Sequence, residues 1–377
     1  MKKITIIAVF LLLSISVNYA QNSKRFVLKG ASLTDTYIKD SLKIDRVKRL
    51  TIAFYNLENL FDTINDPKKN DEASPIMEYK GNKSEVYWKK LDNMARVLAE
   101  IGTNSVYKTS AAVIGVAEIE NRAVLEDLIK TDYLKKKKYG IIHFDSPDWR
   151  GIDVALLYRK KYFTPISFKA IKLPLKDADG KVVRTRDELV VVGILDGEMA
   201  AFIVNHWPSR RGGEARSRPS REKAAALNVK IIDSLKQEFK KIKIITMGDL
   251  NDDPTNSSVK NILKAVSLKK TQADLKANGS QIPYVYNPFI DIGKNEGTLG
   301  YRDSYNLFDQ IMFTPEYLDK DYSGYQFEKA AIFKPKYMMN KRGRYKGYPK
   351  RSWSYGTFTN GFSDHYPTYI YIMKKAE

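Results

Sequence analysis

Two of the chain's three histidines, His206 and His365, sit among polar residues beside apolar runs of strand length. Asn205-His206 closes the run Ala200–Val204, and Ser363-Asp364-His365 opens the run Tyr366–Ile372. The same polar exit recurs elsewhere. Asn56 and Glu58 follow Leu50–Tyr55, Glu118 follows Ala111–Val116, and Asp249 and Asn251 follow Ile242–Met247. Asp309 is the single acid within Leu307–Phe313. A histidine can give or take a proton near neutral pH. Carboxylate and amide oxygens suit magnesium, with manganese or calcium as the alternatives. Together these groups predict metal-assisted cleavage of a phosphate ester by water. The spacing of histidine and acid fits no zinc helix motif. The third histidine, His143, lies inside a strand pattern and reads as structural.

Any one of these positions is also an ordinary turn. Gly248-Asp249-Leu250-Asn251-Asp252-Asp253-Pro254 has the composition of an Asx-rich turn. Glu118 could be a helix N-terminal acid. Their recurrence at successive strand exits argues for a shared site.

Composition sets limits. The chain has 377 residues and no cysteine, which excludes thiol catalysis and cysteine–zinc sites. Lys and Arg number 64 against 44 acids, a net charge of +20. That excess favours nucleic acid, anionic lipid or phosphorylated substrates. Met1-Lys2-Lys3, the apolar block Ile4–Leu13 and the small exit residue Ala20 predict a signal peptide over 1–20, hence export to a periplasm or the medium. No later run has the length of a membrane span, and no lipidation cysteine exists, so no stable membrane anchor is expected. No protein partner is indicated.

The elements that must hold the polar exits follow from periodicity. Residues 21–49 predict a mobile lead-in, and 50–377 a single domain without repeats. Beyond the exits, strands are expected at Tyr139–Phe144, Ile152–Tyr158, Ile166–Leu173 and Glu188–Leu195. Helices are expected from an N-cap at Ser84 through Leu98, around Leu125–Ile129, over Arg218–Phe239, and over Asn256–Leu268. Thr271–Ser304 reads as a long polar loop. Hairpin-linked strands mixed with helices predict an α+β fold, with sheets covered by helices.

The ordered set Asn56 and Glu58, Glu118, Asn205-His206, Gly248-Asp249-Leu250-Asn251, Asp309, and Ser363-Asp364-His365 resembles the endonuclease/exonuclease/phosphatase superfamily. The resemblance spans about residues 50–373. It implies a four-layer αββα sandwich, two packed mixed β-sheets flanked by helices. It implies that Glu118 is the principal metal ligand, with Asn56, Asp364 and Glu58 beside it. His206, Asp249, Asn251, Asp309 and His365 match the catalytic positions, with Asp309 orienting His365. Asn205 would contact the phosphate, and Arg150 and Arg210 are candidate substrate contacts. Ala117 stands where several members carry arginine or glutamine, which leaves the substrate open. The expected activity is exported endonuclease action on DNA or RNA. A lipid or small phosphoester is the alternative, and a non-catalytic polyanion-binding protein a remote one.

One further stretch bears on substrate. Lys334–Phe362 holds eight basic residues and no acid, interleaved with Tyr337, Tyr345, Tyr348, Trp353, Tyr355 and Phe358. Basic groups neutralise phosphates and aromatic faces stack on bases. A solvated basic loop anchored by a few aromatics is the plainer reading.

Overall fold

The computed structural model describes residues 46–104, 106–177, 179–269, 284–292, 296–301, 303–319 and 321–376. The expected signal peptide and all but the last residues of the lead-in lie outside them. Two mixed sheets organise the chain. The first is built from β1 (Val47–Leu60), β2 (Val113–Ile119), β3 (Tyr139–His143) and β4 (Asp153–Arg159). The second takes β5 (Phe163–Ile171), β6 (Glu188–Leu195), β7 (Glu198–His206), β8 (Lys243–Asp249) and β9 (Asp309–Phe313). The chain then returns to the first sheet with β10 (Gln326–Ile332) and β11 (Thr368–Lys375). The orders are β10-β11-β1-β2-β4-β3 and β9-β8-β7-β6-β5. β1 begins at Val47, three residues before the expected boundary, because Val47–Arg49 pair with Met373–Lys375.

Each sheet has one parallel pair at its centre, β1 with β2 and β7 with β8. Parallel neighbours end on the same side, so four strand exits converge at one edge of the sandwich. The inner faces meet through Phe54, Val113, Leu156, Phe202, Val204, Ile245 and Met247. Each such side chain contributes about 1.5–3 kcal/mol by leaving water. Gly115 sits at the contact. A Cβ there would lie 3.0 Å from Met247 Sδ and 3.2 Å from Val204 Cγ1, so even a methyl group would make these side chains shift.

Helices cover the outer faces. α1 (Pro75–Glu78), α2 (Lys83–Glu100) and α3 (Arg122–Lys130) lie on the first sheet through Leu91, Met94, Leu98 and Leu125. α4 (Glu214–Glu238) covers the second through Ala224, Ile231, Ile232 and Leu235. This is the expected αββα sandwich.

Other boundaries also differ from expectation. Asn82, not Ser84, caps α2, because its side chain accepts from Glu85 N at 3.2 Å. α4 starts four residues earlier, at Glu214, and carries Pro219 inside it. Asn256–Leu268 is not a helix: only Ser258–Ile262 form a single wide turn. Within the expected Thr271–Ser304 loop, Leu299–Tyr301 pairs with Ser304–Asn306, and Leu299 bridges to His365.

Candidate active site

The converging exits are shaped by backbone irregularities. β2 shifts register between Ala117 and Ile119, and Glu118 between them has a left-handed φ of 59°. That bulge takes Glu118 out of strand alternation and lets its carboxylate enter the groove. Glu58 and Asn59 at the β1 exit are also left-handed, each with φ 47°. Lys90 of α2, buried, donates to the carbonyls of Glu58 and Asn59 and so stabilises that turn. Asn251 has φ 50°, which brings its N–H to Asp249 Oδ1 at 3.0 Å. Gly248 is required one residue before the acid. A Cβ there would sit 2.3 Å from the Asn205 carbonyl oxygen.

The side chains form one connected group. Asn56 Nδ2 donates to Glu118 Oε1 at 3.2 Å and to Asp249 Oδ2 at 3.0 Å. Asn59 N donates to Glu118 Oε2 at 2.9 Å. His206 Nε2 lies 3.8 Å from Glu118 Oε1 and 3.7 Å from Asp249 Oδ2. His365 Nδ1 is 2.7 Å from Asp309 Oδ2, and its Nε2 is 3.8 Å from Asp249 Oδ2. The backbone N–H of His365 donates to Ser363 Oγ, which itself donates to the Asn56 carbonyl. The Ser363-Asp364-His365 segment is thereby tied to the β1 exit.

The two histidines are driven apart electrostatically. Burial disfavours charge on His365, but Asp309 and Asp249 outweigh it and hold its pKa well above the usual value. His206 moves the other way. Burial, Arg186, Arg150 and His365 push it well below the usual value, so it is neutral. Asp249 is pushed up to about 7 by burial and by Asp309 and Glu118, against the pull of His365 and the Asn251 N–H. The groove thus holds one imidazolium, one neutral imidazole and one carboxyl that titrates near neutrality.

Several expected site residues are taken up by contacts within the protein. Asn205 points away from the groove, donating to Thr246 Oγ1 and the Met247 carbonyl while accepting from Asn228 on α4. No phosphate contact is open to it. Glu58 is buried under the basic stretch, accepting from Ser352 N at 2.6 Å and Ser352 Oγ at 2.7 Å. Its carboxylate holds that segment. Asp364 Oδ2 accepts from Arg351 at 2.9 Å, which leaves Oδ1 4.0 Å from His365 Nε2. Asn56 turns its amide nitrogen to the carboxylates, and its oxygen accepts from Glu58 N, so it links the acids. Asn251 donates to the Trp207 carbonyl and fixes the turn. Arg150 stands at the mouth, its Nε 3.3 Å from Asp148 Oδ1. His143 pairs with Asp153 at 3.0 Å, away from the groove cluster.

Arg210 is a scaffold residue. Its guanidinium donates to the Asn251 carbonyl, Asp252, Asp253 and Asn256, and lies 4.6 Å over the Phe308 ring. Arg210→Ala is therefore expected to cost about 1–3 kcal/mol of stability. Urea unfolding checks this. The KM should change less than kcat, because the lost contacts position Asp249 and Asn251.

Sequence reasoning missed three participants, Asp148, Arg221 and Lys90, and read Arg186 as a substrate contact. Asp148 binds buried Arg186 at 3.1 Å, and Arg186 donates to the His206 and Trp207 carbonyls, fixing the β7 exit. Arg221 is fully buried against Asp252 at 2.7 Å. Lys90 alone carried a signal: it sits at helical spacing among the core positions Val86, Leu91, Met94 and Val97.

A divalent cation fits one part of the groove. Glu118, His206 and Asp249 each offer an atom, and the three lie within 4.8 Å of one another. Ligand oxygens around magnesium are separated by roughly 3–4 Å. Glu118 and Asp249 both face this space, and a cation between them would relieve their repulsion. Neutral His206 adds an imidazole nitrogen without adding charge.

A family model described as Endonuclease/Exonuclease/phosphatase family matches residues 51–374. No curated protein sequence matches the chain. Among solved structures, an endonuclease/exonuclease/phosphatase family protein from Bacteroides thetaiotaomicron is similar. It has 16% identity and a TM-score of 0.51, over 88% of this chain and 100% of that one. A mannosyl-6-phosphatase from the same species has 16% identity and a TM-score of 0.51, over 86% and 99%. A D. rerio TDP2 humanized by 14 mutations has 16% identity and a TM-score of 0.48, over 86% and 98%.

Proposed function

The chain belongs to the endonuclease/exonuclease/phosphatase family, whose members are metal-dependent phosphoester hydrolases, and we propose that its substrate is a nucleic acid, cleaved by water. The observation that carries this reading is the attachment of the basic stretch to the groove. Arg351 and Ser352 pin Lys334–Phe362 to Asp364 and Glu58, beside His365. Lys341, Arg342 and Lys346 are exposed along it. A polyanion leaving the groove would run along these charges.

The groove residues divide the chemistry. His365, kept charged by Asp309, donates from Nε2 to a phosphate oxygen as negative charge builds there. Asp249 accepts the proton of the attacking water. Glu118 and the imidazole nitrogen of His206 would hold magnesium beside Asp249, with manganese or calcium as substitutes. Such an ion, when bound, stabilises charge on the phosphate. The N-terminal 20 residues direct the protein out of the cytoplasm in this reading, to a periplasm or the medium. No helix among the described residues is long and apolar enough to cross a membrane.

The fold alone does not choose the ester, since one structural neighbour is a mannosyl-6-phosphatase. The test incubates the purified protein with supercoiled plasmid, RNA, sphingomyelin or a sugar phosphate, each with magnesium or with chelator. Nicking of plasmid or RNA, dependent on metal and falling steeply with salt, is expected. Intact plasmid and RNA beside a cleaved lipid or sugar phosphate would reject the nucleic acid reading and keep the phosphoesterase.

A further inference from the structure

We infer that Tyr355 is a specificity residue that stacks on an unpaired nucleobase of the bound strand. This inference rests on the nucleic acid reading above. Most aromatics of the basic stretch serve as anchors. Trp353 is buried edge-on against Tyr79 at 5.7 Å and Phe358 at 5.4 Å. Tyr337 packs on Phe362 and under Arg96, and Tyr348 packs on Tyr305. Tyr355 differs: its relative exposure is 103%, so its ring is free on both faces.

Its backbone makes that exposure harder to dismiss. Trp353–Ser354 pairs with Thr357–Phe358, leaving Tyr355-Gly356 as a two-residue turn. Both turn residues are left-handed, with φ 47° and 71°. Such a turn favours Asn-Gly, and a bulky side chain there is strained. Elsewhere on the stretch, left-handed positions are taken by Gly343, Gly347 and Asn360, which suit them. A strained tyrosine that buries nothing gains no stability from its ring. Strain kept at an exposed tip points to use.

The hairpin is also placed and held for that use. Thr359 N donates to the Ser352 carbonyl at 2.9 Å, closing its base. Ser352 is bound to Glu58, and Arg351 to Glu58 and Asp364, so the base is fixed to the groove wall. Three residues of strand carry the tip about 10 Å beyond Ser352. That reach is the scale of one or two nucleotides along a bound strand. Exposed Lys341, Arg342 and Lys346 supply charge for the backbone of the same strand. A flat, two-faced ring beside phosphate-binding cations is the pairing that single strands use.

The test measures binding of a labelled single-stranded oligonucleotide by the full-length chain, in chelator and at fixed salt, by fluorescence anisotropy. Tyr355→Asn should weaken binding about tenfold, the loss of one base stack. It should also raise Tm by about 2 °C, because asparagine suits the turn. Tyr355→Trp should bind as wild type does. An oligonucleotide of the same length with abasic sites throughout should be bound equally by wild type and Tyr355→Asn. Unchanged affinity of Tyr355→Asn for the ordinary oligonucleotide overturns the inference alone. Equal weakening on the abasic strand overturns the stacking role. A wild type that binds neither strand overturns the nucleic acid reading as well.

Discussion

Replacing His365 by asparagine lowers kcat by at least about 10³-fold while leaving the fold in place. Asparagine is the informative choice. It can keep a donor on Asp309, whereas alanine would strand a buried carboxylate beside Asp249 and destabilise the protein. What asparagine cannot supply is the charged Nε2 that faces the groove. The partner substitution Asp309→Asn separates charge from position. Asp309 is the leading reason why His365 stays protonated despite burial. Without it, the pKa of His365 falls and the imidazolium is lost at a lower pH. The alkaline limb of kcat/KM therefore moves toward neutrality, and activity at pH 8 to 9 falls more than at pH 6. Asp309 is also one of the anions that raise the pKa of Asp249, so the acid limb should move down modestly. A uniform loss across pH in Asp309→Asn would reduce Asp309 to a packing role.

Much of this arrangement was legible in the sequence. Polar residues after apolar runs marked Asn56, Glu118, His206 and Asp249 as exits, and β1/β2 and β7/β8 are parallel, so the exits converge, with Asp309 opening the antiparallel β9 opposite Asp249. Strand alternation also contained a warning. Adjacent residues face opposite ways, so Asn205 and His206 could not both line the groove. The structure gives the groove to His206 and turns Asn205 toward α4. Glu58 was hidden for a different reason. By alternation it should share a face with Asn56, but left-handed backbone at Glu58 and Asn59 sends its carboxylate toward Ser352. Neither residue is a glycine, so nothing in the sequence announced the turn. Arg210 and Arg186 look like surface cations on a basic chain. Their partners, Asp252, Asp253 and Asp148, lie 38 to 43 positions away. Long-range pairing of this kind leaves no periodic trace. The basic stretch divided in the same way: its aromatics mostly became anchors, and two of its cations pair with Glu296 and Asp303.

Glu118→Gln should abolish metal-dependent turnover and weaken manganese binding by at least about tenfold, read by calorimetry without substrate. Glutamine keeps the length and an oxygen for the Asn59 N–H, so the bulge can persist. What disappears is the negative charge that a cation needs between Glu118 and Asp249. The charge matters more than the contact, because Asn56 already satisfies both acids through one amide. That amide holds two carboxylates close without neutralising them, a costly arrangement in a buried groove unless a cation joins them. Glu118→Gln should accordingly lower the pKa of Asp249, since one of the anions that raises it is gone. In the metal-free protein the folded-state pKa of Asp249 lies above its unfolded value. The native state therefore binds that proton more tightly, and stability falls as pH rises from about 4 through about 7. The variant should flatten that fall, and added manganese should flatten it in the wild type but not in the variant. A Glu118→Gln protein that binds manganese as wild type does, and whose stability profile manganese still flattens, would move the cation away from Glu118.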